Sequence, residues 1–132
     1  MDQKKLSERI REDRISSKAH MTGRSPNGLH YQWDVTLMCQ GRVFRLPDPF
    51  ESANEPTTFD VLDLLTGACG IVDQCADRDE WAQEYIPDGD PEHQYFTERD
   101  WRTWQKINKG LIRLLGPERH QEYLYDTDCN DE

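Results

Sequence analysis

Asp88, Asp90, Glu92 and His93 fall close together in the stretch EYIPDGDPEHQYF, Glu84 to Phe96, and all four carry metal-ligand or acid–base side chains. Carboxylates at alternate positions open a calcium loop, where positions one, three and five supply oxygens. The pattern then breaks. His93 stands where the loop needs a glycine for its sharp turn, and Arg99 stands where it needs a bidentate glutamate. A second run, Asp126, Asp128 and Asn130, repeats the opening, with Asp131 in place of the glycine. Neither run is read as a metal site, and Asp88–Glu92 is read as a connector between helices.

For proton transfer, His93 beside Asp90 is the one paired candidate; His20, His30 and His120 stand without acidic partners at motif spacing. The sequence contains no G-x-S-x-G, Walker loop, H-E-x-x-H or C-x-x-C, so no constellation for nucleophilic, phosphoryl-transfer or metal-assisted chemistry is expected. Cys69 and Cys75 are too far apart for a zinc knuckle, and Cys39 and Cys129 stand alone. The charged start MDQKKLSERIREDR leads into no apolar run of signal-peptide or membrane-span length. A cytosolic protein with free thiols, no cofactor and no catalytic role is therefore expected.

Trp101 and Trp104, flanked by Arg99, Arg102, Lys106, Lys109 and Arg113, have the composition of a base-stacking platform. Their spacing argues otherwise. Three residues apart, and in register with Ile107 and Leu111, the indoles fall on one helix face, as a buried stripe does.

Charge is the strongest remaining signal. The 132 residues carry 16 Lys/Arg and 26 Asp/Glu, a net −10. Residues 1–46 hold nine bases against five acids, +4, and residues 47–132 hold seven against 21, −14. So acidic a segment repels phosphates and attracts basic protein surfaces. Direct nucleic-acid binding is left to the N-terminal bases Lys4, Lys5, Arg9, Arg11, Arg14 and Lys18, the runner-up reading of function.

The elements that position these residues follow from periodicity. The segment 1–28 reads as a charged arm, with a thin helical stripe of Leu6, Ile10 and Ile15 over residues 3–19 and a Gly/Pro-punctuated loop after it. HYQWDVTLMC alternates Tyr31, Trp33, Val35, Leu37 and Cys39 against polar neighbours, QG supplies a turn, and RVFRL answers before Pro47 and Pro49 stop it. Thr57 and Asp60 form a capping box for a helix ending near Gly67 or Gly70, and Asp77 and Glu80 repeat it before a short helix carrying Trp81 and Tyr85. A third helix is expected to begin at Pro91 and run to Gly116, and a fourth from Pro117 through Tyr123 and Leu124. The expectation is an α+β fold, a β-hairpin or small antiparallel sheet on three to four helices, with a domain over 29–125 and a mobile acidic tail at 126–132.

HYQWDVTL…GRVF, PTTFDVLDLL, DEWAQEY and GLIRLLG together resemble a loose group of small accessory proteins of tailed bacterial viruses. These share a strand pair, a P-[ST]-x-x-D-V-L-x-x-L helix, an acidic-aromatic segment ending in E-[YF]-G-Y-D-x-D-S and a final helix ending in L-x-x-L. The resemblance spans about residues 30–116, and DVLDLL is its most specific part. Ile86, Pro87 and Gly89 interrupt the acidic-aromatic ending, so no role of that loop transfers to Asp88 or Asp90. The resemblance implies a viral protein acting in the host cytoplasm by binding and disabling a defence complex, anti-CRISPR proteins among this class, with acidic members imitating DNA. The partner-binding residues expected on this reading are Asp73, Asp77, Asp79, Glu80, Glu84, Asp88, Asp90 and Glu92, which crowd two short elements.

Overall fold

The central strand of the protein is the one the sequence marks most clearly. In the computed structural model, which describes residues 3–87 and 90–128, the first elements are a two-residue strand β1 (Lys4–Lys5), helix α1 (Leu6–Asp13) and strand β2 (Ser16–Arg24). Strand β3 (Tyr31–Cys39) follows, buries Trp33, Val35, Leu37 and Cys39 on one face, and pairs antiparallel with every other strand of the main sheet. Strand β4 (Arg42–Arg45) returns through Gln40 and Gly41, both at positive φ, 49° and 84°, the two-residue turn whose twist matches a hairpin. Strand β5 (Phe50–Ser52) pairs with the opposite end of the same edge of β3, Trp33 facing Phe50, while β2 takes the other edge. Pro47 and Pro49 lack the N–H that a continuous edge strand would need, which separates β4 from β5.

Helix α2 (Thr58–Val72) starts at the anticipated capping box, with Asp60 N–H on Thr57 Oγ1 at 3.1 Å and Thr57 N–H on Asp60 Oδ2 at 2.9 Å. It runs past both Gly67 and Gly70, neither of which leaves the helical region. Helices α3 (Arg78–Gln83) and α4 (Glu98–Leu115) are joined by a 3₁₀ turn at Pro91–Tyr95. The long helix therefore begins seven residues later than Pro91 suggests, at Glu98, capped by Thr97, whose Oγ1 accepts from Asp100 N–H at 3.1 Å. Helix α5 (Pro117–Tyr125) and strand β6 (Thr127–Asp128) complete the described chain.

Among the described residues the fold is α+β, five α-helices with a four-stranded antiparallel sheet and a small parallel pair. The core lies between the buried face of β3 and helices α2, α4 and α5, through Val35, Leu37, Leu62, Leu65, Leu111, Leu114 and Tyr123. No helix among the described residues is long and apolar enough to cross a membrane.

The N-terminal segment departs most from expectation. The helix anticipated over 3–19 stops at Asp13, because Arg14 turns left-handed (φ 56°) and Ile15 drops into the core. Residues 16–24, read as the end of that helix and a loop, are strand β2. Arg9 is buried: it donates to Glu122 Oε2 at 3.0 Å and to the Asp126 carbonyl at 2.8 Å, tying α1 to α5. The opening of the tail expected to be mobile is likewise anchored, since β6 pairs parallel with β1, Lys4 opposite Thr127. The residues from 129 onward lie outside the described part.

Candidate protein-binding surface

The described residues of segment 73–96 pack around a small aromatic cluster shared with the end of α2 and the start of α4. Trp81 on α3 packs with Trp101 on α4 (ring centroids 5.8 Å apart), Phe96 (5.2 Å) and the side chain of Val72 at the end of α2. Tyr85 stacks on Phe96 at 5.3 Å. Both Trp81 and Trp101 are 5% exposed, and Trp104 is half-buried. The indoles thus serve packing, as their helical spacing implies.

With the apolar side turned inward, the acids of the segment face outward. Asp77 caps α3, its Oδ1 accepting from Glu80 N–H at 2.9 Å, while Glu80 Oε2 reaches back to Ala76 N–H at 3.1 Å. Asp90 Oδ1 accepts from Glu92 N–H at 2.9 Å and caps the 3₁₀ turn. Asp77, Asp79, Glu80, Glu84 and Glu92 are exposed and Asp90 half-buried; Asp88 lies outside the described residues. Asp73 is used differently. Its Oδ1 accepts from Asn108 Nδ2 at 3.1 Å and its Oδ2 from the Tyr125 hydroxyl at 2.5 Å, so this carboxylate joins α2 to α4 and α5. Asn108 in turn contacts the buried His120 Nε2 at 2.7 Å, and burial lowers the pKa of that imidazole against a weaker opposing pull from Asp73.

The one base within α3 is turned toward the backbone. Arg78 Nη1 donates to the His93 carbonyl at 3.0 Å and the Phe96 carbonyl at 2.8 Å, and Nη2 pairs with Asp79. His93 Nε2 meets the Ile86 carbonyl at 3.2 Å. His93 is therefore occupied in holding the connector together, and Arg78 latches the connector to α3. No cluster of three or more metal-ligating side chains occurs among the described residues.

The three described cysteines are free thiols. Cys69 is fully buried and its pKa is pushed up to about 12, by desolvation first and the Asp73 charge second; Cys75 is partly exposed and raised mainly by desolvation. Neither has the electropositive setting that activates a thiolate.

Two features of the region escaped sequence reading. Tyr85 (47% exposed) and Tyr95 (70%) stand at the surface among the acids, although both fall within segments expected to be helical. Arg78 as a latch carried no sequence signal, because its acceptors are carbonyls 15 and 18 residues away. No family model matches the chain, and no curated protein or solved structure matches it either.

Proposed function

We propose that this protein is a non-enzymatic inhibitor that binds a host nucleic-acid-handling complex, an anti-CRISPR protein in kind, and occludes its basic DNA-binding surface with the acids of α3 and the following 3₁₀ turn. The observation that carries this reading is the exposed array Asp77, Asp79, Glu80, Glu84 and Glu92, with half-buried Asp90 beside it, on a segment whose own base, Arg78, is bonded to backbone carbonyls. Charges so displayed raise encounter rates with a basic surface. Exposed Tyr85 and Tyr95 among them supply the aromatic contacts that hold such complexes once formed. The sequence resemblance to viral accessory proteins supports the choice of partner class.

The alternative, a nucleic-acid binder using the N-terminal bases, draws less support. Lys4 pairs with Glu12 at 2.7 Å and Arg9 is buried against Glu122, so two of its six cations are already engaged.

Affinity capture from bacterial lysate, followed by elution with duplex DNA, tests the proposal. A captured nucleic-acid-binding complex should be released by DNA. A complex retained under saturating DNA, or direct retention of DNA by the purified protein at physiological salt, speaks against occlusion.

A further inference from the structure

The gap between β4 and β5 leaves a cleft of about 230 Å³ where the sheet edge meets α2 and α4. It arises where Pro47-Asp48-Pro49 leave the ladder, after Leu46 N–H has donated to the Val35 carbonyl of β3 at 2.9 Å and before β5 resumes pairing, and Trp33 Nε1 holds the far side by donating to the Ser52 carbonyl at 3.1 Å. Its floor is apolar: Leu46, Leu65 and Ile107 belong to the core, with Phe50 and Trp104 half-buried beside them. Leu64, 51% exposed, forms one wall without covering it.

All the charged residues lining this cleft are acidic. Asp48, Glu51 and Asp100 surround it, no Lys or Arg lines it, and none of the three carboxylates is in an ion pair among the described residues. The size selects further. At about 230 Å³ it falls below the roughly 300–1,000 Å³ of drug-sized ligand sites, yet exceeds the ~150 Å³ cavity that accommodates benzene. One large side chain fits.

We propose that this cleft docks a partner polypeptide through a single large apolar side chain flanked by Lys or Arg. The apolar group would cover Leu64 and Phe50, and the flanking cations would meet Asp48, Glu51 and Asp100, with the Trp104 ring offering a cation–π face. Nucleic acid and acidic peptides are repelled by the same carboxylates. The site shares no residue with the acidic surface of α3, and stands whether or not that surface occludes DNA.

The test is an NMR titration of the full chain with three capped pentapeptides: leucine flanked by lysines, alanine flanked by lysines, and leucine flanked by glutamates. The first should saturably shift the Leu64 and Thr103 amides and the Trp104 indole N–H. The alanine peptide should bind roughly 10- to 100-fold more weakly, the value of burying one large apolar side chain, and the glutamate peptide should not bind. Leu64→Ser, at a position half open to solvent on α2, should weaken the first peptide, as should Asp48→Asn combined with Glu51→Gln. Equal binding of the leucine and alanine peptides, or of the lysine and glutamate ones, overturns the proposal. So does unchanged binding by both variants, or no saturable shift at these signals. If the same signals move on dilution without peptide, the occupant is a second copy of the chain and the proposal is wrong.

Discussion

Replacing Arg78 by methionine removes the latch between α3 and the connector while keeping the apolar stem that packs there. Two hydrogen bonds from a charged donor are lost, to the carbonyls of His93 and Phe96. Bonds of this kind contribute about 1.5–3 kcal/mol each, so loss of both is bounded near 6 kcal/mol. The acceptor residues are only half-buried, and the Arg78 side chain is itself 24% exposed, so water recovers much of that. The exposed pair with Asp79 adds little. About 2 kcal/mol remains as the expected cost. For 132 residues at roughly 2.1 cal/mol/K each, the unfolding entropy is about 0.28 kcal/mol/K, which turns this into a Tm lower by about 7 °C. Calorimetry measures the shift, and hydrogen exchange locates it: the 3₁₀ turn should lose protection while β3 keeps its own. A Tm within about 2 °C of the parent, with the turn still protected, refutes the latch.

Other parts of the fold make equally specific demands. Gly110→Ala should gain up to about 1 kcal/mol of helix propensity, yet its methyl overlaps the Phe44 ring; overpacking of about 1–3 kcal/mol should win, and Phe44→Leu should relieve it in the double variant, as chemical denaturation will read out. His120 has a folded-state pKa below its usual 6.5, so the unfolded chain takes up the proton first; stability should be full above about pH 6.5 and fall as pH drops toward the folded value, with the slope reduced in His120→Gln. In a Cys129→Ser background, a thiol reagent should label partly exposed Cys75 first, and label Cys39 and Cys69 only on unfolding, as timed mass spectrometry will show.

The hairpin was legible because β3 is buried on one face, and Trp33, Val35, Leu37 and Cys39 therefore alternate without interruption. Strand β2 was not. Its inward positions Ser17 and Ala19 are small, its one large apolar residue Met21 is 56% exposed, and a bulge between Met21 and Gly23 disturbs the period. That strand exists through its ladder to β3, a tertiary cause that no local pattern records. The start of α4 does carry a local signal, since Thr97-x-x-Asp100 repeats Thr57-x-x-Asp60, whereas Pro91 opens only a 3₁₀ turn. Among the candidate site residues, the outward acids of α3 followed from the inward turn of Trp81. Asp73 did not, because its partners Asn108 and Tyr125 lie 35 and 52 residues away. The acidic cleft left only the breaks at Pro47 and Pro49, which mark where a strand stops and not what the gap encloses.

The most direct test of the occlusion proposal is the association rate with the captured partner after neutralising Asp77, Asp79, Glu80 and Glu84. Asn at position 77 preserves the α3 cap, so Asp77→Asn, Asp79→Asn, Glu80→Gln and Glu84→Gln together remove charge and leave the fold in place. Surface-based kinetics at low and physiological salt, with duplex DNA as competitor, give both rate constants. Association at low salt should slow by about tenfold or more, the difference should shrink as salt is raised, and dissociation should change less. Unchanged association by the quadruple variant, or simultaneous binding of partner and DNA without interference, contradicts occlusion of a basic DNA-binding surface.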